Sequence, residues 1–256
     1  MAKRFGVSDL RQQLPSLLDK VQAQGEEIIV TRNGKDIAKV SPVARPGTRG
    51  PQVIALTSLK GGVGKTTLAM HLARVIADER ENVVVIDADN EMSALRWRAQ
   101  ASDLSPEGLP FGVVAAERDQ IMKQVQALKH QGHTVIIDTP PNDREMLRSA
   151  ATIADLALVP VLPTALDVDR GAVSLRLLED MAFAVPNLRF AALLNRAASR
   201  QRQTREADEV LNQTVRIHTV IPQLNAYQEA FGLTPRRLSH VQDLWEEIQK
   251  RFGSDL

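Results

Sequence analysis

From residue 53 onward, short apolar runs alternate with stretches whose apolar positions fall three and four residues apart. The runs are Val53–Thr57, Val83–Asp87, Val113–Ala115, Val135–Asp138, Leu156–Val161, Phe190–Asn195 and Val215–Val220. An unbroken apolar run is the pattern of a strand buried on both faces, and the helical spacing between runs predicts crossover helices. Strand and helix in strict alternation predict an α/β fold, a parallel sheet with helices on both faces. In such a sheet, ligands bind beyond the C-terminal ends of the strands.

The first 43 residues follow another pattern. Ser8 stands where it can cap a helix whose apolar positions Leu10, Leu14, Leu17, Leu18 and Val21 fall at helical spacing, bent near its start by Pro15. Ile28, Ile29 and Val30 then face Ile37, Ala38 and Val40 across Asn33-Gly34, the chemistry of a tight hairpin turn. Residues 44–51, ARPGTRGP, read as a Pro/Gly/Arg linker. The expected organisation is a small α+β domain over 1–43, a linker over 44–51 and an α/β domain over 52–256.

The first apolar run feeds Ser58–Thr67, SLKGGVGKTT, with a helix expected from about Lys65. A strand, a Gly-rich turn and a helix N-terminus make a phosphate cradle, because successive backbone N–H groups and the helix dipole converge on one anion. Gly61, Gly62 and Gly64 let the backbone approach a phosphate closely, with Val63 between them. Lys65 supplies a point charge for the β- and γ-phosphates, Thr66 a hydroxyl for Mg²⁺ and Thr67 a further donor. Leu59 stands where the strict P-loop pattern has its first glycine.

Lys60 accounts for that departure: KGGVGKTT, with a second lysine ahead of the glycines, resembles the deviant Walker A box of the ParA/MinD family of dimerising ATPases. The resemblance runs from Val53 to about Tyr227 and implies ATP and Mg²⁺ as cofactors. By it, Lys60 acts in trans on the partner's nucleotide. The segment after the second run, with Asp87 and Asp89, resembles the family's second signature, although Asn90 and Glu91 replace Pro and Gln. There the resemblance makes Asp87 a support of the Mg²⁺ shell and Asp89 the group that orients the attacking water; acids at a strand end also cap helices. Asp138 resembles the Walker B carboxylate and Thr139-Pro140-Pro141 the segment that senses the γ-phosphate. Mg²⁺ keeps most of its waters, so Thr66, Asp87 and Asp138 suffice as its protein ligands. Asp167 and Asp169 fall near the family's dimer face or cap a surface helix. Asn195 resembles the residue that reads the adenine edge, and Pro222 the segment lining its other side.

VSDLRQQLPSLLDKV followed by EEIIVTRNGKDIAKVSPV resembles the Phd/YefM antitoxin domain, which implies dimerisation and operator binding, with Lys3, Arg4 and Arg11 chosen for DNA contact. The toxin-binding tail of such an antitoxin is replaced here by the linker. Charge supports the division: net charge is +1 overall, yet residues 1–50 carry nine Lys/Arg against five Asp/Glu. Arg200, Arg202 and Arg205, with Arg196, either touch nonspecific DNA phosphates or form a solvated helix face. With no cysteine, disulfides and iron–sulfur ligation are excluded. Val241, Leu244, Trp245, Ile248 and Phe252 share one side of a final helix whose other face carries Asp243, Glu246 and Glu247, so core packing is expected rather than membrane binding.

Together these resemblances imply a slow ParA-type ATPase for plasmid or chromosome partition. It would dimerise on ATP, bind nonspecific DNA, answer to a ParB-like centromere-binding partner, and repress its own genes through residues 1–43. The expected location is cytoplasmic and nucleoid-associated, without membrane contact. The alternatives are a MinD-like positioning ATPase and an antitoxin-type repressor regulated by ATP.

Overall fold

The computed structural model describes residues 3–6, 17, 28–32, 35–40, 50–80, 82–186, 188–198 and 201–253. The chain forms two compact units, the first within Met1–Thr48 and the second Arg49–Ser254.

In the first unit, strands β1 (Lys3–Gly6), β2 (Ile28–Arg32) and β3 (Lys35–Val40) form one sheet in that order. The hairpin expected over 28–40 is present as the antiparallel pair β2 and β3, with a register shift between Val30 and Thr31. Val30 is buried, as is the helical Leu17. Strand β1 is an element that the apolar pattern does not predict: Lys3 and Arg4 stand in it and pair in parallel with Ile28 and Ile29, while the expected helix start near Ser8 lies outside the described residues. Its four residues, KRFG, have no alternating pattern of their own, and their partner lies 25 residues on. Ser8, Leu10, Arg11, Leu14, Pro15, Leu18, Val21 and the Asn33-Gly34 turn lie outside the described residues.

The second unit is a six-stranded sheet, ordered β6-β5-β7-β4-β8-β9 and parallel throughout. Its strands are β4 (Val53–Leu56), β5 (Val83–Asp87), β6 (Gly112–Ala115), β7 (Thr134–Asp138), β8 (Leu156–Val161) and β9 (Arg189–Leu194). Side chains alternate between faces, as the pleat requires. Ile54, Leu56, Val85, Ile136 and Leu158 pack under helices α1 (Lys65–Glu79) and α2 (Ser93–Leu104). On the other face, Val53, Ala55, Ile86 and Val135 pack under α3 (Ile121–His130) and α4 (Arg144–Ile153). Ala157, Val159 and Ala192 are covered by α5 (Ala165–Ala182) and α6 (Arg202–Leu211). After β4 the chain turns to one face and after β7 to the other. The crevice outside β4 and β7 is therefore the switch point where such sheets bind ligands.

After the short helix α7 (Asn225–Gln228), the last helix, α8 (Ser239–Phe252), packs on α1. Val241, Leu244, Trp245, Ile248 and Phe252 are all buried, so its apolar face serves the core, as its acidic outer face predicts. The Trp245 indole donates to Glu79 at 2.7 Å, and a Cβ on Gly50 would come within 2.7 Å of the same ring. Gly50 and Pro51, read as the end of the linker, are thus buried in the second unit.

The seventh apolar run is a correction. Val215–Val220 makes only one isolated bridge, Ala192 to Arg216, and a second, Asn195 to Ile221, lies just past it. The reason is a side chain on α8: the Glu247 carboxylate takes the backbone N–H groups of His218 and Thr219, each at 2.7 Å, so they do not enter a ladder.

Candidate functional site

The loop between β4 and α1 opens at the switch point. Gly62 and Gly64 have φ of 74° and 90°, the left-handed region that favours glycine. At Gly64 space matters as well, since a Cβ would sit 2.6 Å from the Asn195 amide nitrogen. Gly64 is the N-cap of α1, no side chain caps that end, and no acidic residue lies in the first turn. The first N–H groups of α1 are therefore left by the protein's side chains for an anion. Val63 is buried, while Thr66 and Thr67 are half-buried at the loop's exit.

Lys65 is buried, and its ammonium donates to the Lys60 carbonyl at 3.4 Å. Burial lowers its proton affinity, while the charges of Asp138 and Asp89 work to restore it. Asp87 and Asp138 face each other on paired strands, at the C-terminal ends of β5 and β7. Asp87 accepts from the backbone N–H of Asp89 at 3.2 Å and of Leu95 at 3.0 Å, so it also caps α2. The metal-site and helix-capping readings of this residue are thus compatible. Burial raises the Asp87 carboxyl above its usual range despite those N–H groups.

Asp138 is different: it is fully buried, and neither carboxylate oxygen has a partner at hydrogen-bonding geometry. Burial pushes it up to about 7, against the Thr66 hydroxyl and the Lys65 charge. An orphaned buried carboxylate calls for a missing partner. Among the described residues, no three His, Cys, Asp or Glu groups form a ready-made chelate. Mg²⁺ takes one or two protein oxygens, keeps waters and completes its shell with substrate phosphates, and the neighbouring Thr66, Asp87 and Asp138 oxygens are donors of that kind.

Lys60 points elsewhere. Its ammonium is ion-paired with Asp167, whose carboxylate also accepts the Thr164 hydroxyl at 2.7 Å. Although burial pushes Asp167 up, the Lys60 and Thr164 bonds hold its carboxyl below the usual range. Asp167 therefore serves both as part of the α5 N-terminal cap and as the mate of Lys60. Asp169 is exposed.

Beyond Gly64 and Thr67 lies a cavity of about 220 Å³ walled by Trp97, Leu224, Tyr227 and Phe231. Asn195 reaches it, but its amide donates to the Val63 carbonyl at 2.6 Å and its oxygen accepts from the Arg196 N–H. Pro222 does not line the cavity; Gln223 and Leu224, which follow it, do. Trp97, Tyr227 and Phe231 escaped sequence reading because Trp97 is far in the chain from the other two. Trp97, one of only two tryptophans, was the one available signal. Backbone strain gathers around the site: the positive φ values at Met92, Asn142 and Arg196 each follow a strand that ends there.

The described basic residues are dispersed. Arg202 is exposed and pairs with Glu206 at 2.6 Å, and Arg205 is exposed on the same helix. Arg200 lies outside the described residues. Lys3 and Arg4 stand in β1.

The CobQ/CobB/MinD/ParA nucleotide binding domain family matches residues 54–233, and the Phd_YefM antitoxin family of type II toxin–antitoxin systems matches residues 3–44. The chain is 27% identical over 194 residues to protein virC1 of Rhizobium radiobacter, covering 73% of this chain and 81% of that one. It is 32% identical over 125 residues to maintenance of carboxysome distribution protein A of Gloeobacter kilaueensis, covering 48% of this chain and 55% of the relative's length. The match thus spans only about half of that relative. A putative plasmid partition protein from Borrelia burgdorferi B31, solved bound to AMPPNP, shares the fold. Its TM-score is 0.63 at 15% identity, covering 79% of this chain and all of that one.

Proposed function

The chain belongs to the CobQ/CobB/MinD/ParA nucleotide-binding family, and from that premise we propose that it is a Mg·ATP-dependent partition ATPase which also represses its own operator. The observation that carries the reading is Asp138, a buried carboxylate near the Thr66 hydroxyl with no partner at hydrogen-bonding geometry, set beside Lys65 and Asp87 at the mouth of an uncapped Gly-rich loop. Such a group is costly unless a cation completes it. Gly61, Gly62, Val63, Gly64, Lys65, Thr66 and Thr67 hold the phosphates. Thr66, Asp87 and Asp138 would hold Mg²⁺, directly or through its waters, and a bound ion would supply charge neutralisation for the phosphoryl group. Asp89 orients the attacking water. Lys65 stabilises the phosphates of its own chain, and Lys60, released from Asp167, those of a second copy, which makes the active unit an ATP-bound homodimer. Exposed Arg202 and Arg205, with Arg200, contact nonspecific DNA, and a ParB-like centromere-binding partner stimulates turnover. Residues 1–43 form the operator-binding and dimerising domain, 44–51 the connection and 52–256 the ATPase, acting in the cytoplasm on the nucleoid.

A membrane-positioning role is disfavoured by α8, whose apolar side chains are already buried. In addition, no described helix is long and apolar enough to cross a membrane. Pelleting with random-sequence DNA and with liposomes, under ATP and ADP, tests the reading. ATP-dependent binding to DNA alone is expected, whereas ATP-dependent liposome binding would favour the positioning role. A chain starting at Gln52 should keep that DNA binding and lose its operator footprint. If only specific DNA is bound, the protein is a repressor regulated by ATP.

A further inference from the structure

The cavity beyond Gly64 sits where a base would follow phosphates held by the loop, and its wall has a second connection. The Trp97 ring is buried and lies 5.5 Å from Phe231, centroid to centroid. Its indole N–H donates to the Leu233 carbonyl at 2.6 Å, tying α2 to the segment that closes the cavity. Two residues earlier on the same helix, the Leu95 N–H is held by Asp87, and Asp87 also holds the N–H of Asp89. The turn between them has little slack: Met92 caps α2 at a φ of 51°, with its N–H on the Asp89 carbonyl at 2.9 Å. One 12-residue helix thus carries the base wall and anchors the carboxylate segment of the hydrolytic site.

We propose that Trp97 is a positioning residue that couples binding of the base to the Asp87–Asp89 segment. This rests on the nucleotide-hydrolase reading above. An aromatic wall stacks any purine. Gln223 and Gln228 supply amides for the adenine edge, while Asn195, already bonded to Val63, holds the loop to the cavity. A base packed on the indole steadies α2, and through Leu95 steadies Asp87 and Asp89. The base therefore raises kcat as well as lowering KM.

The full chain should hydrolyse ATP with a higher kcat than inorganic triphosphate, which has the phosphates and no base. Trp97→Phe keeps a ring and loses the Leu233 bond. In this variant, the ratio of kcat for ATP to kcat for triphosphate should fall about tenfold, the scale of one buried hydrogen bond. KM for ATP should move less. Phe231→Leu, which trims the contact with the Trp97 ring but keeps the Leu95 and Leu233 bonds of α2, should raise KM for ATP more than it lowers kcat, and serves if the Trp97 variant folds poorly. Emission at Trp97 should change with ADP but not with triphosphate, and the change should vanish in Trp97→Phe, where Trp245 remains as reference. A Trp97→Phe enzyme altered only in KM, or equally on both substrates, would overturn the coupling. If the wild-type chain hydrolyses neither substrate, the hydrolase reading has failed. The emission titration then still decides the base wall, because an absent ADP response refutes it.

Discussion

The two walls of the site solve opposite problems. The phosphate wall, Lys60–Thr67 with Asp87 and Asp138, concentrates unmet polar groups: uncapped N–H groups, a buried ammonium and an orphaned carboxylate. The base wall, Trp97, Tyr227 and Phe231 with His71 behind them, consists of rings packed on one another edge to face or tilted, with the His71 nitrogens and the Tyr227 hydroxyl as its few buried polar atoms. Unmet polar groups cost folding energy and are retained where a ligand completes them, whereas apolar rings stabilise the fold with or without one. Substitutions in the first wall should therefore act on chemistry, and those in the second on stability and fit.

The largest effect expected is at Lys65. Lys65→Ala should reduce ATP affinity by about 10²- to 10³-fold or more, the scale of leaving one member of a buried charge pair alone. Fluorescent-nucleotide titration checks this, and a near-normal affinity would mean that the loop backbone alone holds the phosphates. Asp89→Ala should bind ATP normally yet turn over about 10²- to 10⁴-fold more slowly, as expected for a group that handles the attacking water. Partner-stimulated turnover near wild type would remove Asp89 from the mechanism.

His71 tests the other wall through pH. It is fully buried on α1, and burial lowers its pKa to about 4 against the opposing pull of the Arg236 backbone. Between the ordinary value near 6.5 and 4, the unfolded chain binds a proton that the folded chain refuses. Stability is therefore full above pH 6.5 and declines as the pH falls, by up to about 3 kcal/mol at about 1.4 kcal/mol per unit. Denaturant melts at pH 7 and pH 4.5 should show this decline in the wild type and a shallower one in His71→Leu; equal slopes would locate the acid sensitivity elsewhere. The smallest effect is at the joint between the walls. Asn195→Ala removes the bond to Val63 and should lower stability by about 1–2 kcal/mol. The readout is a thermal melt, and a loss confined to nucleotide affinity would instead return Asn195 to reading the base.

Most of the architecture was legible because each signal was local. A P-loop is ten contiguous residues, and a strand buried on both faces is an unbroken apolar run, so β4, β5, β7, β8 and the start of α1 were readable from spacing. The carboxylates were legible for the same reason, since each closes an apolar run. Reading failed where a distant group intervened: Glu247 disrupts the seventh run, β1 exists only because β2 pairs with it, and Trp245 draws Gly50 into the core.

The sequence by itself determined the alternation that makes a parallel sheet, the phosphate loop and the acids at the strand ends, because backbone periodicity and contiguous motifs depend only on near neighbours. Only the tertiary structure decided which of those groups meet. It buried Asp138 with no partner at hydrogen-bonding geometry, set Lys60 on Asp167, bonded the Asn195 amide to the Val63 carbonyl, and brought Trp97 to Tyr227 and Phe231 from more than a hundred residues away. The physical reason is that burial, pairing and cavity shape are properties of side chains brought together by the sheet order, and no pattern along the chain encodes which strand ends lie side by side.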